Sequence, residues 1–196
     1  MAVLRKATLA WKKRNGTCRR AVVLLVMIGW GMLNLPAQTA TKEYKLKAVF
    51  LFNFTQFVNW PPSAFAAANT PLTIGVLGED PFGSYLTDTV TGEKVYGHEL
   101  VIQHFQTVEQ VTNCQVLFIS RSEADHLQTI LAQLKNQSIL TVSDAEGFSK
   151  DGGIIRFTTR ENKIRLKINL NAAKAANLTI SSQLLRLADV VEPGKD

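Results

Sequence analysis

Three short and almost wholly apolar runs constrain the fold of this 196-residue chain more than any other feature. They cover Leu72–Gly78, Gln115–Ile119 and Ser138–Val142. Runs of this length and composition are typical of strands buried on both faces, as in parallel sheets. Segments with helical character separate them. The pattern therefore predicts an α/β fold: a single three-layer sandwich with a largely parallel central sheet and helices on both faces.

The remaining segments complete this prediction. Leu46, Phe50, Phe54 and Phe57 recur at helical spacing, which predicts a mostly buried helix over Thr41–Asn59. A strand is expected over Glu99–Phe105, and a hairpin over Ile154–Thr158 and Ile164–Leu170 forms an antiparallel edge. Further helices are expected over Ser84–Val90, from Ser122 to Leu134, over Asn171–Ala176 and over Ser181–Val191.

The first forty residues have the layout of a secretory signal peptide. Residues 1–20 carry seven basic side chains and no acid, an apolar run follows over Ala21–Leu35, and Pro36–Ala40 is a short segment of mainly small residues. The apolar run is shorter than the roughly 20 residues that span a bilayer, although a retained N-terminal anchor is the alternative. We expect cleavage after Ala37 or Ala40, a single domain over residues 41–196, and a location outside the cytoplasm without direct membrane insertion.

Removal of this segment changes the charge of the chain. The net charge is +6 for the whole chain, but residues 41–196 contain 15 Lys and Arg against 16 Asp and Glu, a net charge of −1. Without a clustered basic patch apparent in the sequence, nucleic-acid binding is not expected. Only Cys114 remains after residue 40, so no intrachain disulfide can form. Its thiol is either buried and inert or part of an intermolecular disulfide.

Motifs for catalysis and metal binding are weak. The Gly75–Gly83 turn lacks the ending of a phosphate-binding loop, and no nucleophile elbow is present. His98 and His104 share a strand face but lack further ligands at metal-site spacing, so neither an enzyme nor a cofactor or metal is predicted.

Two other features could bind a partner or a ligand. Gly78, Ser120 and Asp144 follow three predicted strands, and ligands in open α/β sheets bind outside the carboxyl ends of strands. These residues therefore define a candidate small-ligand crevice. Phe148 lies in a glycine-rich loop, where it is either part of the core or presented to a partner.

An ordered set of motifs resembles the YfiR family over about residues 44–190. The set begins with the segment from Lys47 to Phe54 and the Trp60-Pro61 pair. It continues with Gly78–Gly83, Gln115–Ser120, Leu140–Phe148, Gly152–Ile155, Lys167–Leu170 and Ile180–Ala188.

The resemblance implies a periplasmic regulator with an α/β sandwich fold that forms a homodimer. Such a protein binds the periplasmic sensor part of an inner-membrane diguanylate cyclase and represses it, which limits cyclic di-GMP and biofilm formation. On this basis Phe148, Lys167 and Ile168 are expected to contact the partner. A well-studied relative is redox-sensitive through disulfides, but Cys114 stands alone here, so an intrachain redox switch cannot operate. Small-ligand sensing at the crevice is the alternative function.

Overall fold

The computed structural model describes the backbone of residues 36–191 and the side-chain environments of residues 41–191. Residues 1–35 of the predicted signal peptide lie outside the described residues, whereas the predicted cleavage positions, Ala37 and Ala40, lie within the described backbone. Residues from Thr41 onward form one compact unit.

Five helices and ten strands follow one another along the described chain. The helices are α1 (Pro36–Phe57), α2 (Ser84–Val90), α3 (Leu127–Gln133), α4 (Leu170–Ala175) and α5 (Ser182–Leu185). The strands are β1 (Val58–Asn59), β2 (Leu72–Leu77), β3 (Lys94–Val95), β4 (His98–Phe105), β5 (Val116–Ile119), β6 (Leu140–Ser143), β7 (Ile155–Arg160), β8 (Lys163–Asn169), β9 (Thr179–Ile180) and β10 (Ala188–Val191). Short 3-10 turns cover Pro62–Ala64, Val108–Gln110 and Arg121–His126.

Eight strands form one mixed sheet in the order β10-β8-β7-β6-β5-β2-β4-β3, and β1 pairs with β9 in a small antiparallel sheet. The centre is parallel, because β4, β2, β5, β6 and β7 all run in the same direction. The β7–β8 and β3–β4 pairs are antiparallel. The buried apolar runs of the sequence are thus the central strands, as predicted.

Alternate residues of the central strands enter two separate hydrophobic cores. Ile74, Val116 and Phe118 pack on the side covered by α1. Leu117 and Ile119 pack on the opposite side, against α3. Helices therefore cover both faces of the sheet, and the single α/β sandwich predicted from the sequence is confirmed.

Helix α1 buries a narrower stripe than its sequence indicates. Ala48, Leu51 and Phe54 are fully buried, and the Phe54 ring stacks on Phe157 of β7 with 5.8 Å between centroids. Leu46, which the periodicity assigns to the buried stripe, is instead 48% exposed. Within residues 36–191, none of the helices combines the length and hydropathy that crossing a bilayer requires.

The end of the domain differs from the sequence prediction. The helix expected over Ser181–Val191 is only the single turn α5, after which the chain extends as β10. Strand β10 pairs in parallel with β8. Strand β10 is therefore the edge strand at this end of the sheet, and the hairpin strands β8 and β7 are the second and third strands from that edge.

Candidate functional site

The three residues of the predicted ligand crevice meet at one edge of the sheet. Gly78, Ser120 and Asp144 each follow the last residue of β2, β5 and β6, which are neighbours in the sheet. Because these strands are parallel, their carboxyl ends lie side by side. We call this region the carboxyl edge.

The space above Gly78 is filled by the chain itself. Gly78 has φ +85°, and a Cβ at this position would collide with the side chains of Ser122 and Glu123. The Glu79 amide donates to Ser122 Oγ at 3.0 Å. Ser120 is 5% exposed, and its amide donates to the Leu77 carbonyl at 3.0 Å. The turn after β5 therefore occupies the place where a crevice ligand would lie.

Asp144 is the centre of a buried charge cluster. The residue is 4% exposed, and its Oδ2 accepts hydrogen bonds from Lys47 Nζ at 2.5 Å and from the Tyr44 hydroxyl at 2.8 Å. Lys47, itself 1% exposed, also pairs with Glu43 Oε1 at 2.6 Å. Arg121 Nε lies 3.2 Å from Asp144 Oδ1, close enough for an ion pair but without hydrogen-bond geometry. We call these five residues the Asp144 cluster.

The Asp144 cluster is a network of ion pairs whose charges compensate one another. Two cations balance two carboxylates, so the buried charge is compensated. Burial, followed by the charge of Asp144, raises the pKa of Tyr44 well above its usual value, so its hydroxyl stays protonated as a donor. The ring of Tyr44 packs edge-on against Phe82 with 5.5 Å between centroids. The cluster joins α1 to the end of β6 across 97 residues of sequence. Its polar groups contact one another in this connection between the two elements.

The structure corrects two of the three predicted partner contacts. Phe148 and Ile168 are both 0% exposed, Phe148 in the α3-side core and Ile168 in the α1-side core. A Cβ at Gly153 would collide with the Phe148 ring, which shows how closely the loop closes over that side chain. Neither residue can touch a partner in this fold, because no part of its side chain reaches the surface. Lys167, on β8, is partly exposed.

Sequence reasoning missed two strongly exposed apolar residues at the end of the domain. Leu187 is 70% exposed and Val190 is 51% exposed. Val190 lies on edge strand β10, where Asp189 is the register partner of Lys167. The prediction of a helix here concealed both the strand and its free edge. The two adjacent β-branched residues Val190 and Val191 were the available signal.

Two cavities occur elsewhere in the described domain. One, of about 420 Å³, lies between α3 and α4 and is lined by Leu131, Lys135, Asp151, Asn169 and Ala175 among others. The other, of about 290 Å³, lies near the start of β2, and its lining includes Trp60, Phe65 and Tyr96. Neither of these two cavities is lined by Gly78, Ser120 or Asp144.

Cys114 and the histidines have ordinary structural surroundings. Cys114 is 4% exposed, and burial raises the pKa of its thiol to about 12, which corresponds to the inert alternative. His104 Nε2 lies 3.0 Å from Asp80 Oδ2, and the His98 ring stacks on Phe65. Among residues 36–191, no group of three or more His, Cys, Asp or Glu side chains is placed to hold a metal ion.

Comparison with known proteins gives a family match. The family model described as YfiR/HmsC-like matches residues 44–189, nearly the whole described domain. The chain therefore belongs to the YfiR/HmsC-like family, a family of periplasmic regulatory proteins. No curated protein matches the chain closely enough to count as a relative.

Proposed function

We propose that this chain is exported to the periplasm, loses residues 1–40, and there binds and represses the periplasmic sensor part of an inner-membrane signalling protein. A diguanylate cyclase is the target that family membership favours. The layout of residues 1–40 supports export. The compensated, buried polar residues of the carboxyl edge favour a binding role over an enzymatic one.

The observation that carries the binding role is the apolar edge formed by Leu187 and Val190. Edge strands present unpaired backbone groups, and proteins usually protect them with charges, prolines or a covering segment. Here Val190 on β10 and Leu187 just before it are exposed apolar side chains, and Asp189 is the one exposed charge on the strand. Exposed apolar groups beside an open strand edge are suited to a protein partner. The same edge could serve the homodimer that we propose as the resting form.

The test uses tagged protein of residues 41–196 to capture partners from solubilised membranes. We expect recovery of a transmembrane protein that carries a diguanylate cyclase domain. The double variant Leu187→Asp/Val190→Asp should recover at least tenfold less of the cyclase, because desolvated apolar anchors dominate protein interfaces. Val49→Asp is the matched control, because Val49 is 42% exposed on α1 and should leave recovery unchanged.

Three results would contradict the proposal. Capture of the cyclase that is unaffected by the edge variant would remove the edge from the interface. Deletion of the gene without a rise in cyclic di-GMP would remove the cyclase as the target. Full-length precursor as the only form in cells would remove the export and cleavage step.

A second candidate function, small-ligand sensing, is favoured by the cavity of about 420 Å³ between α3 and α4. In this second candidate function the ligand lies in the cavity between α3 and α4 and not at the carboxyl edge. Pockets of this size, with apolar walls and a few polar groups, commonly hold small molecules. A metabolite that raises the melting temperature of the native domain but not of Ala175→Trp, which fills the cavity, would support it. If every stabilising metabolite acts equally on both proteins, this candidate fails.

A further inference from the structure

The β7–β8 hairpin has one apolar face and one cationic face. Ile155, Phe157, Leu166 and Ile168 all enter the core beneath α1. Because side chains alternate along a strand, the residues between them point to the opposite side of the sheet. That side carries five basic residues, which we call the cationic face: Arg156, Arg160, Lys163, Arg165 and Lys167.

The register of the hairpin sets like charges against each other. Arg156 lies opposite Lys167, and Arg160 lies opposite Lys163. Thr158, opposite Arg165, is the sixth position of this two-by-three grid. Neighbouring positions are about 7 Å apart along a strand and about 5 Å apart across the pair. Like charges directly opposite each other destabilise a sheet, so the folding of the hairpin does not explain the arrangement.

The turn end of the cationic face is poorly compensated within the domain, whereas at the other end Asp189 of β10 is the register partner of Lys167. Among the described residues, Arg160, Lys163, Arg165 and Lys167 have no carboxylate within ion-pair distance. Arg160, Lys163 and Arg165 are exposed. Residues 41–196 contain 15 Lys and Arg and have a net charge of only −1. Five of these 15 cations, one third, lie on this one hairpin. Such a local field attracts a dense array of negative charge.

The composition of the face distinguishes between possible anionic surfaces. Protein interfaces have aromatic or aliphatic residues at their centre and few charges there. The grid contains five cations and one threonine, without an apolar side chain. A plane of lipid phosphates needs no apolar anchor, and its attraction grows with each Lys or Arg that approaches it. A flat array of cations on two adjacent strands matches a planar array of phosphates.

We propose that the cationic face of the β7–β8 hairpin holds this domain against the surface of a bilayer rich in anionic phospholipid. The contact is electrostatic and does not insert into the bilayer. It lies beside edge strand β10, so adhesion would keep the Leu187 and Val190 edge close to membrane-bound partners. The inference goes beyond the proposed function, since it holds whichever protein the edge binds.

The test measures co-sedimentation of residues 41–196 with vesicles, because both hydrophobic cores lie within this segment. The probes are vesicles of equal parts phosphatidylglycerol and phosphatidylcholine, and vesicles of phosphatidylcholine alone. We expect binding to the anionic vesicles only, and loss of that binding as salt rises. Lys163→Gln/Arg165→Gln should lower the partition coefficient about thirtyfold, which corresponds to about a fivefold loss for each removed cation.

The control variant Lys42→Gln/Lys174→Gln removes the same charge from exposed positions elsewhere and should bind like the native domain. Arg165→Lys should also bind normally, because a lipid phosphate array requires charge more than guanidinium geometry. Equal loss in the control variant would show an unspecific charge effect and overturn the proposal. Absence of vesicle binding would overturn it too. Normal vesicle binding with failed cyclase capture would reject the proposed function and leave this inference standing.

Discussion

The carboxyl edge and the cationic face of the hairpin each concentrate charged side chains, but they treat charge in opposite ways. In the Asp144 cluster every charged group has an oppositely charged neighbour within 4.0 Å, and Lys47 and Asp144 are almost fully buried. At the turn end of the hairpin, Arg160 lies opposite Lys163, and both side chains are exposed. Charge that a protein compensates internally serves its own fold, whereas charge that it leaves uncompensated is available to another molecule.

The largest effect on stability is expected when one partner of the buried ion pair is removed. Asp144→Ala leaves Lys47 buried without its closest counter-charge, and we expect it to destabilise the domain by about 3–5 kcal/mol. Urea denaturation measures the loss. The double variant Lys47→Met/Asp144→Leu should be more stable than Asp144→Ala, since no charge remains buried alone. A loss below about 1 kcal/mol in Asp144→Ala would show that the cluster is not structural.

The filled space above Gly78 gives the next largest effect. Gly78→Ala forces a Cβ against Ser122 and Glu123 in a left-handed backbone, and we expect a loss of about 1–3 kcal/mol. Gly92→Ala is the control, because Gly92 has φ +79° with nothing within 4 Å of the added Cβ. The excess loss in Gly78→Ala, measured by thermal denaturation, reports the collision. Equal losses would mean that the carboxyl edge is open rather than filled.

The stability that Tyr44 contributes to the Asp144 cluster should depend on pH. Its pKa is raised in the folded state, so the folded domain holds this proton more tightly than the unfolded chain does. The resulting stability is complete below the unfolded pKa of about 10 and is lost as the pH rises from there toward the folded pKa. Tyr44→Phe should lose about 1.5 kcal/mol at neutral pH, for one hydrogen bond to a charged group.

The measurement for Tyr44 is chemical denaturation from pH 8 upward, comparing the native domain with Tyr44→Phe. The variant should show a shallower alkaline decline, while Cys114, whose pKa is also raised, contributes equally to both. Parallel curves would show that folding does not raise the pKa of Tyr44.

The smallest effect should come from the hairpin and should have the opposite sign. Lys163→Glu places a carboxylate opposite Arg160, and we expect the domain to gain about 0.2–1 kcal/mol. The gain should shrink with added salt, because exposed charges are screened. Urea denaturation at low and high salt measures it. Destabilisation by Lys163→Glu would mean that the cationic face already has compensation and that the contrast with the Asp144 cluster is wrong.

The sequence predicted well where burial repeats with a regular period. The central strands and α2 follow from local apolar patterns, and Ser84–Val90 has the predicted bounds. The failure at Ala188–Val191 has a physical cause. Four residues are too few to separate a period of 3.6 from a period of 2, so pairing with β8 decided the outcome.

The candidate sites show the same division. The cationic face was missed: the sequence analysis found no clustered basic patch, because the five cations are brought together only by the register of the β7–β8 hairpin. Whether Phe148 lies inside or outside was not readable, since both alternatives fit a phenylalanine in a glycine loop. The pairing of Lys47 with Asp144 was equally hidden, because nothing local joins residues 97 positions apart.

By itself, the sequence determined the α/β sandwich, the strands at its centre, the family and the charge of each segment. Each of these depends on local composition and periodicity, which a single chain carries explicitly. Only the tertiary structure decided which charges neutralise each other, which aromatic rings are buried and which strand is left at the edge. Those outcomes depend on distances between distant segments, and the free energy of burying or exposing a charge is set by these distances rather than by sequence neighbours.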